Sequence, residues 1–475
     1  GGNNTSVGKD SLRANTTGAS NVAVGSGALD ANTTASNNTA VGYNSLGANT
    51  TGADNVAVGR QSLLASTTGD NNTSVGTNAL MANTTADNNT AFGYNSLKAN
   101  TTGAANTAVG KSSLAANTTG STNTALGASA LDTNTTGSSN TAIGRSALDA
   151  NTTASNNTAV GDVALAANTT GSSNVAVGAV ALDANSTGGS NTALGYNALG
   201  ANTTASDNTA VGQASLANNT TGASLVAIGV NALVNNTTAS NNTAVGSNAL
   251  LANTTGTEIT AVGVSALSSF VSGTAQLTAV GYQALKLCTA PYNTAVGWQA
   301  GDAITTGQAN VMIGDGSLGS NQTGGSNTAV GHFALNNSTG DSNTGIGATA
   351  LRNNTSGTNN VAVGTQALLN NTTGGSNTAV GRVALDANTS GSNNVAVGNQ
   401  SLGENTIASQ NVAVGDHALN KNTTASNNTA VGYSALFANI NGTQNVAVGA
   451  NALDANTTGN NNIGIGHNSM GGTTT

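Results

Sequence analysis

The chain is poor in proline, cysteine, aromatic side chains and charge. Its 475 residues hold one proline, one cysteine and one tryptophan; aromatics are 2% and charged residues 6%, against about 25% charged in ordinary globular proteins. Each shortage excludes something. A lone cysteine, Cys288, rules out an internal disulfide framework. Ten Lys and Arg, scattered and outnumbered by 18 Asp and Glu, form no basic stripe that could neutralise phosphates, so no nucleic-acid partner is expected. No run approaches the ~18 apolar residues of a membrane helix, so no membrane insertion of this segment is expected. Few aromatics and few charges cannot build a conventional core, yet 37% hydrophobic is too much for a disordered tail. The start, Gly1-Gly2, carries no Met and no signal-like stretch, which fits a mature or partial chain.

What the chain does have is glycine, 63 residues of it, at a fixed period. The glycine that closes each Ala-Val-Gly falls at 8, 25, 42, 59 and onward in steps of 17 up to Gly263. It continues through Gly281, Gly297, Gly314, Gly331 and Gly347 to Gly466, giving 28 repeats with three deviant spacings of 18, 16 and 16. A period of this kind signals stacked coils. The expectation is an all-β parallel β-solenoid, or β-roll, of about 28 coils in one continuous domain. Regular coils would fill 1–267 and 320–475, with irregular coils at 268–319. At about 4.8 Å per strand the stack would run on the order of 130 Å.

One repeat, Asn38 to Asp54, reads N-T-A-V-G-Y-N-S-L-G-A-N-T-T-G-A-D. Thr39 and Val41 alternate with Ala40 as in a half-buried strand, and their slots hold only Thr, Val, Ile, Leu or Phe. They are expected to face the core, with Leu46 as a third core rank on a second short strand. Gly42 would permit the bend between strands, and Asn49-Thr50-Thr51-Gly52 would close the coil as a turn. The Asn38 slot is replaced only by Leu225, Ile259 and Leu277, so it is sheltered and predicts a ladder of buried amides. Ala40 and Ser45 mark ranks held to small residues and free of charge. A solvent-facing rank would drift to Lys, Asp or Gln, so a neighbouring backbone is expected against them.

The stretch Asn140-Thr141-Ala142-Ile143-Gly144-Arg145-Ser146-Ala147-Leu148-Asp149-Ala150 resembles the head repeats of trimeric autotransporter adhesins, which read roughly S/T-x-A-I-G-x-x-A/S-x-A. Similar repeats occur in the shafts of bacteriophage tail fibres. The resemblance runs over essentially the whole chain. It implies a left-handed roll and a homotrimer, for which the Ala40 and Ser45 ranks would be the interface. It also implies an extracellular, cell-surface or virion-tail setting and a host-surface protein or glycan as partner. The chain departs from the adhesin pattern in its longer coil, and it holds no heptad stalk or anchor barrel.

Chemistry-bearing constellations are scarce. His332, His417 and His467 fall at variable surface positions and cannot converge on one ion at ~2.0–2.3 Å; no metal, cofactor or catalytic residue is expected, and the chain is read as non-enzymatic. Asp30, Asp149 and Asp183 read as solvated singletons. Asp132 and Asp149 share a rank on successive coils, but a sugar-cleaving pair needs sequestration and stacking aromatics as well as ~5–9.5 Å separation. The sequon N-x-[ST] at Asn15, Asn32 and Asn49 reads as a glycosylation acceptor or, preferably, as turn chemistry in which Asn and Thr bond local backbone. Paired threonines such as Thr50 and Thr51 raise ice binding as an alternative, against which stands their position in a turn. The one break in monotony, Ser268 to Gly319, carries Phe270, Tyr292, Trp298 and Met312 as a candidate recognition patch. Within it Gly301 replaces the regular core leucine.

Overall fold

The computed structural model describes residues 2–472. Every regular element among them is a β-strand and none is a helix. The chain divides into two compact units, Gly1–Ser240 and Asn241–Thr475. Each is a parallel β-solenoid with fourteen strands. In the first unit every strand has three residues, from Thr5–Val7 to Val226–Ile228. In the second unit two strands are longer, Thr257–Val262 and Thr274–Val280. Within each unit successive strands pair one coil to the next, as Thr39 with Val56, Ala40 with Ala57 and Val41 with Val58, with one shift of register between Thr257 and Ile259. The 17-residue period is therefore one turn of the solenoid.

The facing of the strand is the reverse of the sequence expectation. Ala40 is fully buried while Thr39 and Val41 are half-exposed, and the same holds from coil to coil. Inward there is room only for a small side chain, because Leu46 already fills the narrow interior. The β-branched residues stand on the outside of the sheet, where they stack on their in-register neighbours. The Ala40 and Ser45 ranks, expected at a contact between chains, thus lie inside their own coil. Ser45 spends its hydroxyl there, donating to the carbonyl of Ala57 at 2.8 Å.

Leu46 is core as expected, but no second strand carries it. Residues 43–48 are a chain of turns in which Asn44 and Leu46 both have φ near 50°. A left-handed leucine costs roughly 1–2 kcal/mol, and it recurs in nearly every coil. The inter-coil bonds of the same segment offset it: Leu46 N–H donates to Ser62 at 3.0 Å and Ala48 N–H to Leu64 at 3.1 Å. Gly42 has φ 135°, and a Cβ there would sit 2.5 Å from the carbonyl oxygen of Gly59. Only glycine fits, which is why this slot never varies. A Cβ at Gly52 would also crowd a carbonyl, yet Ala35, Ala86 and Ala154 occupy that slot in other coils, so a small backbone shift there is cheap.

Two amide ladders line one corner of the regular coils. In the first, expected from the sequence, Asn38 N–H donates to Asn21 Oδ1 at 3.0 Å and Asn38 Nδ2 donates to Gly52 O at 2.9 Å. The second was hidden in what reads as turn chemistry. Asn49 is fully buried, and its Nδ2 donates to Asn32 Oδ1 at 3.1 Å and to Gly52 O at 2.9 Å. Both ladders converge on one carbonyl, so a corner without large apolar groups satisfies its own polar atoms.

Candidate functional site

The stretch expected to carry recognition comes apart into interior and surface. Phe270 and Met312 are buried, at 1% and 0% exposure, and cannot meet a ligand. Met312 fills space freed by Gly301: a Cβ on that glycine would lie 2.5 Å from the Met312 sulfur. A large residue in the small strand slot and a glycine in the leucine slot are one compensated exchange. Phe270 replaces an asparagine of the second ladder. Its ring edge and the Ile259 side chain both abut Gly256, and Cys288 and Ile304 follow in the same rank. Here the polar corner has become apolar. Burial pushes the Cys288 thiol up in pKa, in keeping with a packing role.

Trp298 and Tyr292 are half-exposed, at 50% and 52%. Trp298 lies parallel to Tyr282 on the preceding coil, ring centroids 6.2 Å apart and planes 12° off. Tyr292 has no ring contact with that pair among the described residues. Of the four residues singled out, the surface patch keeps two, and Tyr282 joins Trp298.

The sequons fare differently from their reading as acceptors. Asn32 and Asn49 are fully buried, and their amide nitrogens each make two hydrogen bonds within the ladder. Asn15 is half-buried and its Nδ2 donates to Gly18 O at 3.1 Å. A glycan on any of them would require the coil corner to open. The adjacent threonines also divide their roles. The Thr50 hydroxyl donates to Thr67 O at 3.0 Å, leaving Thr51 as the exposed member of the pair.

Sequence reasoning passed over a polar surface in the second unit around residues 382–454. A groove of about 520 Å³ is lined by Arg382, Asp386, Gln400, Gly403, Glu404, His417, Asn420, Lys421 and Phe437. Its floor is Gly403, in a rank where the flanking coils present Asp386 and Asn420. The Asn420 amide leans over that glycine to donate to Gln400 O at 2.8 Å. Lys421 is paired with Glu404. The His417 ring sits 6.2 Å from that of Phe437, and its Nδ1 lies 2.7 Å from Asp416 Oδ1. Beyond these two rings a second groove of about 370 Å³ is lined by Tyr433, Asn451 and Asp454. The available signal was the density of charge: a chain with so few ionisable groups places Arg382, Asp386, Glu404, Asp416, His417 and Lys421 in three coils.

Several aspartates read as simply solvated are not. Burial raises the carboxyl pKa of Asp132, Asp149, Asp183, Asp302 and Asp386, all in the rank that follows the core leucine. The charge of Asp132 adds to the effect on Asp149, on the next coil. No group of three or more His, Cys, Asp or Glu able to hold a metal occurs among the described residues. Among the same residues no helix is long and apolar enough to cross a membrane.

Neither a known protein-family model nor a curated protein sequence matches the chain.

Proposed function

We propose that the chain is a structural or adhesive segment of an extracellular fibre, in which copies pack side by side through the outward face of their strands. The observation that carries this is the character of that face. Slots 39 and 41 hold β-branched or other apolar residues and threonine in every coil and never a charge, although the structure leaves them half-exposed. Phe92, Leu126 and Ile313 are 43%, 46% and 42% exposed there. A water-facing rank free to vary would collect Lys, Asp and Gln, as slots 43, 47 and 54 do. The Thr39 and Val41 ranks, not the Ala40 and Ser45 ranks, are thus the face offered to a neighbouring chain.

The fourteen-strand face of one unit covers on the order of 700 Å², close to the ~800 Å² per partner of a standard interface. Exposed apolar patches of that size mark interaction surfaces. A left-handed trimer is the assembly that the resemblance to adhesin heads implies, and a tail-fibre shaft would use the same face. Light scattering on the purified chain is the test. Three times 45.5 kDa is expected, falling to one chain when Thr141→Lys, Ile143→Lys, Thr158→Lys and Val160→Lys are combined. A monomeric parent chain at micromolar concentration overturns the reading.

A further inference from the structure

We infer that the groove floored by Gly403 and walled by Phe437 is a binding site for an uncharged oligosaccharide, laid along the coil axis. The inference deepens the adhesive part of the reading above and rests on it for its setting, but it uses none of the strand face.

Shape argues first. The two grooves, about 520 and 370 Å³, share His417 and Phe437, so they form a track interrupted by one pair of rings. The successive coils along this track rise ~4.8 Å each, and a chain of linked rings suits such a track better than a single compact ligand. The volumes are those of small-molecule sites.

Chemistry argues second. Lys421 is neutralised by Glu404. Arg382 forms no ion pair among the described residues, but Asp386 lines the same groove, and Asp416 stands against His417. Around Gly403 the two fixed cations thus face two carboxylates, Asp386 and Glu404, leaving no surplus of positive charge for a phosphate, and no group of three or more His, Cys, Asp or Glu able to hold a metal occurs among the described residues. What is in surplus is hydrogen-bonding capacity of both kinds. Carboxylates and amide oxygens accept, and guanidinium, amide and imidazole N–H groups donate. They surround the ring of Phe437, with Tyr433 58% exposed beyond it. A ligand carrying many hydroxyls on a ring with an apolar C–H face uses all three features. The hydroxyls trade bonds with the wall, and the C–H face covers the aromatic carbon.

Packing argues third. Position 403 is one of the few in its rank without a side chain, and the absence is what opens the groove. The slot accepts bulk elsewhere, as Leu64, Leu251 and Leu369. A Cβ at 403 would push aside the Asn420 amide, 2.8 Å away, and come within 3.3 Å of the Gln400 carbonyl oxygen. Gly403→Leu therefore fills the floor in a backbone that tolerates leucine.

The test is calorimetric titration and saturation-transfer NMR of the full chain with maltotriose, cellotriose, mannotriose and chitotriose, with sialyllactose and inorganic phosphate as charged probes. At least one neutral trisaccharide is expected to bind. Gly403→Leu should abolish the signal and Phe437→Ala should weaken it tenfold or more, with melting temperature and circular dichroism unchanged for Gly403→Leu. Trp298→Ala should bind as the parent does. The inference is overturned if no neutral probe binds at millimolar concentration, if only the charged probes bind, or if binding survives Gly403→Leu and disappears with Trp298→Ala. An assembled chain that binds no sugar sinks this inference alone; a monomer that binds sugar sinks only the side-by-side packing.

Discussion

The regular coils of Gly1–Ser240 and the coils that carry Phe270, Cys288 and Ile304 line the same corner with opposite chemistry. In the first, the two asparagines of a regular coil each bond their own rank on the neighbouring coil and share one carbonyl, as Asn38 and Asn49 share that of Gly52. Asn123 shows the pattern: Nδ2 donates to Gly137 O at 2.9 Å, and Oδ1 accepts from Asn140 N–H at 3.0 Å. In the second, Ile259 and Leu277 take the place of one ladder while Phe270, Cys288 and Ile304 take the place of the other. The polar ladder resumes where Asn310 N–H meets Asn293 Oδ1 at 3.0 Å. The corner is polar and bonded in the first and largely apolar in the second, and where the two meet the amide is still bonded: Asn293 Nδ2 donates to Ala290 O at 3.2 Å and to Gly307 O at 2.8 Å. The costly state is an exchange that leaves a buried polar group without a partner.

The largest effect is expected from putting an amide back into the apolar corner alone. Phe270→Asn removes a fully buried ring and sets an amide against Ile259, Leu277 and Cys288. Loss of the ring costs ~3–5 kcal/mol, and the amide adds to it. Urea unfolding followed by circular dichroism should show the second unit melting first. A loss below about 1 kcal/mol would mean that the corner repacks freely.

The converse exchange should cost somewhat less. Asn123→Leu leaves Asn140 N–H without its acceptor and removes one of two donors to Gly137 O. At ~1–3 kcal/mol per orphaned group, a loss of about 2–4 kcal/mol is expected. Leu225 shows that one aliphatic residue in the ladder does not prevent folding: its own N–H still donates to Asn208 Oδ1 at 3.0 Å. Hydrogen exchange should report the damage as faster exchange at Asn140, with distant coils unchanged.

A natural flaw allows the comparison to be run in the stabilising direction. Ser66 stands in the second ladder and is too short to reach its neighbours; its hydroxyl and Asn49 Oδ1 are both buried without a partner. Ser338 occupies the same rank but accepts from Asn354 Nδ2 at 3.0 Å. Ser66→Asn should therefore raise stability by about 1–2 kcal/mol, while Ser338→Asn should gain less. Equal gains at both sites would show that the orphaned atoms are not what matters.

Much of this was legible in the sequence, and each failure has a physical cause. The 17-residue coil, the first ladder, the Leu46 core rank and the indispensable Gly42 follow from periodicity and from which residues a slot refuses. The strand facing did not, because alternation says that two ranks differ without saying which is inside. The rule that large apolar residues go inward fails in a coil too thin for Val and Leu together. The second ladder was masked because Asn-Thr-Thr-Gly is also good turn sequence, and nothing in the Asn49 slot as obvious as Leu225 marked it as sheltered, although Phe270, Cys288 and Ile304 were there to be read. The groove at Gly403 depends on residues 17 apart meeting across coils, which a reading along the chain does not assemble.

The smallest effect tests how far the difference between the two corners reaches. Asp183 lies in a regular coil and Asp302 in an altered one, yet burial raises both carboxyl pKa values above the usual 3.8, against opposing bonds from backbone N–H groups. A raised folded value means that the folded chain holds the proton more tightly than the unfolded chain does. The stabilisation from each carboxyl is then full below 3.8 and is lost as the pH rises through the folded value. Acidification from neutral toward that range should therefore raise the melting temperature as far as these groups decide it. Asp183→Asn and Asp302→Asn should each remove a small share of that rise and slightly stabilise the chain at neutral pH. Both carboxyls remain partly solvated, which keeps their effect on stability modest. Equal shifts would confine the chemical difference between the coils to the ladder corner. A larger shift at Asp302, where Lys286 opposes the rise, would mean that the apolar corner alters the far side of its own coil.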